Sequence, residues 1–73
     1  MAEHPEELKK LLAIATDLGL SAELRIKSIE IMGNMGSHEA LLALLDLAAN
    51  QDLIPQEREL ALKRASEIIK SGH

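Results

Sequence analysis

Leu24-Arg25-Ile26-Lys27-Ser28-Ile29, running on to Gly36, decides the fold, because it returns as Leu60-Ala61-Leu62-Lys63-Arg64-Ala65, running on to Gly72. Upstream, Glu7-Leu8 with Leu11-Leu12 and Ala15 is matched by Glu39-Ala40-Leu41 with Leu44-Leu45 and Ala48, at a slightly shorter offset. The difference predicts a small insertion in the second unit near Leu53-Ile54-Pro55. Each unit has the spacing of helix, turn, helix, and self-similarity at this period signals stacked helical hairpins. The chain therefore reads as all-α. It has four helices arranged as two tandem antiparallel hairpins, over residues 5–36 and 37–72 of one domain spanning 1–73, as a HEAT-like stack or a compact bundle.

The punctuation places the helices. Pro5 suits a first helical position, and Glu6 and Glu7 complement the positive end of the helix dipole. Helix one is expected to carry Leu8, Leu11, Leu12, Ala15 and Leu18 on one stripe, with Lys9 and Lys10 in solvent and Gly19 as a left-handed stop. Ser21 caps helix two, Gly33 falls near its end and Gly36 stops it. A glycine inside a helix costs about 1 kcal/mol against alanine, so Gly33 is expected to be offset by the close approach of a neighbouring helix. Ser37 caps helix three, which runs from His38 to about Ala49. Asn50-Gln51-Asp52 breaks the chain, Leu53 and Ile54 are expected to tuck into the core, and Pro55 opens helix four, with Gly72 ending it. Lys63, Arg64, Glu67 and Lys70 give helix four a polar side.

The composition excludes much. With 73 residues, any core is small and depends on efficient packing or on association. There is no cysteine, hence neither a disulfide framework nor a thiolate metal site. The absence of Phe, Tyr and Trp removes base stacking, cation–π cages and aromatic anchors. A net charge of -4 argues against binding a phosphate backbone, so nucleic acid is not an expected partner. The unbroken apolar stretch Ala40 to Leu45 is far short of the roughly 18 residues a membrane span needs, and no membrane association is expected. Met1-Ala2-Glu3-His4-Pro5-Glu6-Glu7 has neither a basic nor an apolar leader segment, which makes cytoplasmic expression the expectation.

No residue set points to catalysis. His4, His38 and His73 lack the i, i+3 or i, i+4 spacing of helical metal ligands. Asp17 and Asp46 fall at polar edges of their helical wheels, so they read as solvated rather than as a convergent acid–base pair. Ser21 and Ser37 are explained as caps, and no serine has a His–acid set beside it. Gly33-Asn34-Met35-Gly36 lacks the Lys-Ser/Thr ending of a phosphate loop. No enzyme activity, cofactor or metal is expected.

The helical faces point instead to binding. Helix one has an ordinary apolar arc of roughly 160°, whereas Leu41, Leu42, Leu44, Leu45, Leu47, Ala48 and Ala49 cover roughly 220° of helix three. Helix two is similarly broad, with Leu24, Ile26, Ile29, Ile31, Met32 and Met35. Either these are central helices of a self-sufficient core or part of their surface is a subunit interface. A two-unit stack favours the interface, since repeat stacks need capped ends and two units leave one open, and a closed two-fold arrangement is the commonest solution. The candidate interface residues are Ile26, Ile29, Leu42, Leu45 and Leu47. Arg25 joins them as the one charge projecting into the apolar arc of helix two, either as an intersubunit anchor paired with Asp46 or Glu30 or as a snorkelling surface side chain. Met32 and Met35 are read as core filling, with an adaptable binding surface as the alternative.

Leu24-Arg25, Ser28, Met32-Gly33, Met35-Gly36, Glu39-Ala40 and Leu44 together resemble the short HEAT-like repeat named after phycobilisome lyases. The match is close over about 25 residues and loose elsewhere. It departs at Ser37-His38, where the family has Asp-Pro, at Ile31, where it prefers Ala, and at Ala61, which replaces the second unit's Arg. The resemblance implies an α-solenoid with a protein-binding surface and no catalytic residue. In style, Glu6-Glu7-Leu8-Lys9-Lys10-Leu11-Leu12, the clean caps and the Ala- and Leu-rich helices resemble an idealised, designed helical protein, in which propensity, pattern and caps all agree. Two functions follow as expectations. One is a non-enzymatic, design-like scaffold that self-associates into a dimer or higher cyclic oligomer through helices two and three. The other is a natural HEAT-like adaptor binding a partner protein along one hairpin face.

Overall fold

The computed structural model describes residues 5–71; His4, His73 and the expected stop at Gly72 lie outside them. Four helices follow in order: α1 Pro5–Ala15, α2 Ala22–Met35, α3 His38–Ala49 and α4 Pro55–Lys70. α1 lies along α2 and α3 along α4, as short connections between antiparallel helices require. The hairpins join chiefly through α2, which packs on both α4 and α3, while α1 meets α3 lightly. One apolar cluster draws on all four helices and on Leu53 from the last loop.

The caps explain most boundaries. Ser21 and Ser37 accept hydrogen bonds from the Leu24 and Ala40 amides, closing the open N-terminal turns of α2 and α3. Gly36 ends α2 at φ 65°, a left-handed conformation that a Cβ would strain. Asn50 ends α3 by a side-chain turn, its Oδ1 accepting from the Asp52 amide at 2.9 Å. α4 starts without a side-chain cap: Pro55 occupies its first turn and the Ile54 carbonyl accepts from the Glu57 and Arg58 amides.

Two boundary expectations are corrected. α1 stops at Ala15 rather than Leu18, and Gly19 has no positive φ. Asp17 competes with the helix there, its carboxylate accepting from the Gly19 amide at 2.9 Å and drawing the chain into a local turn. Leu18 is consequently exposed. In the loop between α3 and α4 Leu53 is buried as expected, but Ile54 is not.

Burial fixes the repeat register. Arg25, Ile29 and Met32 of α2 are buried, and so are Ala61, Ala65 and Ile68 of α4, at the offset seen in the sequence. For the first helices the structure shifts the alignment by one residue. The inward row of α1 is Leu8, Leu11, Leu12 and Ala15, and that of α3 is Ala40, Ala43, Leu44 and Leu47. Leu45 is therefore the neighbour of the core position equivalent to Leu12, and it faces outward. The insertion also becomes visible: the repeat counterpart of Ala22, where α2 begins, is Arg58, yet α4 begins at Pro55. The second unit has gained about one helical turn, and Glu57 lies in it.

Gly33 behaves as its position requires. A methyl built on it would stand 2.9 Å from Arg64 Cζ and nearer still to Nε. The approaching group is a side chain of α4 rather than its backbone, and Arg64 Nη2 reaches Asn34 Oδ1 at 2.6 Å. Arg64, expected on the polar side of helix four, is thus half-buried across α2.

Candidate functional site

Two features stand out against this frame: a buried ion pair between the hairpins and an apolar outer face on the second hairpin.

The ion pair corrects the reading of Arg25. Its side chain neither snorkels nor reaches Asp46 or Glu30; it enters the interior, with Arg25 only 7% exposed, and meets Glu57, which is fully buried. Arg25 Nε donates to Glu57 Oε1 at 3.1 Å and Oε2 at 3.2 Å, and Nη2 donates to Oε2 at 2.9 Å. Nη1 donates to the Leu20 carbonyl at 2.6 Å and, at longer range, to that of Asp17. One guanidinium therefore joins α2, the loop after α1 and the first turn of α4. Beside it, the buried Ser28 hydroxyl donates to the Leu11 carbonyl and ties α2 to α1. Desolvating a carboxylate is costly unless it is paired and hydrogen-bonded, and both oxygens of Glu57 are. Glu57 is not among the candidates that the sequence analysis singles out. The available signal was its phase: Glu57, Ala61, Ala65 and Ile68 form one inward row.

Arg25 and Glu57 thus satisfy each other and tie the two hairpins together. Among the described residues, no group of three or more His, Cys, Asp or Glu side chains could hold a metal, and no helix is long and apolar enough to cross a membrane. Asp17 and Asp46 are both exposed.

The candidate interface residues separate into inside and outside. Ile29 and Leu47 are core residues and Arg25 is engaged with Glu57, so none of the three has surface to give a partner. Ile26 is half-buried. Leu42 and Leu45 remain outside, 50% and 37% exposed. Met32 is core and Met35 packs against it. The breadth of α2 has the same explanation: its inward row is Arg25, Ser28, Ile29 and Met32, while Leu24 and Ile31 point to solvent.

α4 supplies what the sequence reading left out. Leu62 and Ile69, one on each side of Ser66 on a single helical row, are each 54% exposed. Between α3 and α4 runs an open groove of about 250 Å³, lined by Ala48, Pro55, Arg58, Glu59 and Leu62. Arg58 Nε donates to the Ala48 carbonyl at 3.0 Å and so holds the groove's base. The outer face of the hairpin carries Leu42, Leu45 and Ala49 on one helix and Leu62 and Ile69 on the other, on the side that α1 and α2 do not cover.

Comparison with protein-family models, with curated proteins and with solved structures gives no match.

Proposed function

We propose that the chain is a non-enzymatic helical repeat scaffold of HEAT-like, design-like character whose role is self-association. The observation that carries this reading is the outer face of α3, where Leu42 and Leu45 stay exposed although eleven apolar residues pack into the core cluster. Scattered exposed leucines need no explanation, but a contiguous row beside a second row on α4 is the surface that stacking a further hairpin would cover. The interface expected on helices two and three moves to the second hairpin, because the α2 candidates Ile26 and Ile29 are half-buried and buried, whereas Leu42 and Leu45 of α3 lie exposed beside Leu62 and Ile69 of α4. Absolute molar mass by size exclusion with light scattering over a dilution series tests the reading, with refractive-index detection because the chain has no Trp or Tyr. A mass of two or more subunits supports it.

The adaptor reading has one observation in its favour, the groove of Ala48, Pro55, Arg58, Glu59 and Leu62, which is wide enough for an apolar side chain of another protein. A folded monomer at every concentration would favour it over self-association.

A further inference from the structure

Resting on the self-association reading, we infer that the occupant of the α3–α4 outer face is the same face of a second copy, related by a two-fold axis parallel to the helices, so that α3 of each copy lies across α4 of the other. The apolar rows name the face, and the charges at its edges select the axis.

Ala48 marks the side of α3 that meets α4. At about 100° per residue, Asp46 and Glu39 lie roughly 160–180° around the helix from it, on the far edge of the outer face. On α4 the order from the groove outward is Arg58, Leu62, Pro55, Glu59, Lys70 and Lys63, which places both lysines at the opposite far edge. Glu59 is the single acid there and stands one turn before Lys63, while Glu67 is turned to Arg64 at 3.5 Å. The face is therefore an apolar field with an acidic border along α3 and a basic border along α4.

Two face-to-face arrangements are isologous. An axis perpendicular to the helices lays α3 on α3 and α4 on α4, opposing like charges on both borders. An axis parallel to them lays each acidic border on a basic one. The parallel axis also preserves height along the hairpin. Ala48 is level with Arg58 and Glu59, so at 1.5 Å per residue Asp46 comes within about 4 Å, along the axis, of Lys63 in the other copy, and Glu39 within about 4 Å of Lys70. Both offsets lie within a lysine's reach. Leu45 comes level with Leu62, and Leu42 falls between Leu62 and Ile69. A face roughly 24 Å long and 20 Å wide buries on the order of 1,000 Å² in total, the low end for a specific interface, which fits a reversible dimer.

The test uses the full chain by light scattering, with far-UV circular dichroism to verify folding. E39K/D46K makes both borders basic and K63E/K70E makes both acidic, so each variant is expected to raise the dissociation constant at least about tenfold. The four substitutions together exchange the borders and are expected to restore the dimer. Because the chain has no cysteine, D46C mixed with K63C should be joined by a thiol–thiol crosslinker spanning about 8 Å, longer than a disulfide allows, and D46C alone should not. If the unaltered chain is a monomer throughout, the self-association reading falls and this inference with it. If it is a dimer that E39K/D46K leaves unchanged, or if D46C crosslinks to itself, self-association stands and the parallel axis is wrong.

Discussion

Replacing Arg25 by Met keeps much of the side chain's length and removes its charge. What it leaves is Glu57, fully buried, with both oxygens stripped of the three guanidinium contacts they share, and the Leu20 carbonyl without its 2.6 Å partner. Breaking a buried pair from one side costs about 3–5 kcal/mol. A chain of this size has total stability on the order of 4–11 kcal/mol, so Arg25→Met removes about a quarter of it or more. At roughly 4–8 °C per kcal/mol, the melting temperature followed by circular dichroism at 222 nm should fall by at least about 12 °C. The converse change is milder. In Glu57→Gln the side-chain shape is kept, and Arg25 retains the Leu20 and Asp17 carbonyls and some access to water, so a loss of about 1–2 kcal/mol is expected. Removing both charges together, Arg25→Met with Glu57→Leu, abolishes the desolvation cost with the attraction and should land within about 2 kcal/mol of the parent. The double-mutant cycle is therefore strongly non-additive. If Arg25→Met costs under 1 kcal/mol, as an exposed pair would, or if the double variant is as unstable as the sum of the single ones, the reasoning fails.

Three further outcomes are expected. Gly33→Ala gains helix propensity of about 1 kcal/mol but drives a methyl into the Arg64 guanidinium, so it should be neutral or destabilising, whereas in an Arg64→Ala background the same change should stabilise by up to about 1 kcal/mol; urea melts of the four chains decide it. Leu42→Glu with Leu45→Glu should give a monomer of unchanged helicity by light scattering and circular dichroism, since both positions lie outside the core; collapsed helicity would place them inside it. Ser28→Ala removes the bond to the Leu11 carbonyl and should cost about 1 kcal/mol by thermal melting, with α1 the first helix to lose hydrogen-exchange protection.

The repeat, the four helices and nearly all their boundaries are present in the sequence, because caps and breakers act over three or four residues. Ser21, Ser37, Gly36 and Pro55 do locally what their residue types predict. The exception at α1 is also local, since Asp17 can bond the Gly19 amide as readily as it can sit on a helix, and only the final energy balance chooses.

Which apolar residues are core was not legible in the same way. Helix three carries more leucine than one face can hold, so its wheel admits two phases one residue apart. The sequence alignment paired Leu45 with Leu12, and packing paired Leu44 with it, placing Leu44 inside and Leu45 outside. That phase is set by what α3 meets on α4 and α2, residues remote in sequence. The partner of Arg25 was hidden for the same reason: Glu57 is 32 residues away, in the added turn of the second unit, and only the docking of one hairpin on the other brings it within 2.9 Å. The sequence determined that there are two hairpins and, the end of α1 apart, where the helices start and stop, because those choices are made by neighbours along the chain. The tertiary structure decided which side of each helix is buried and which is left exposed, because burial is a property of the assembled surfaces and not of any single helix.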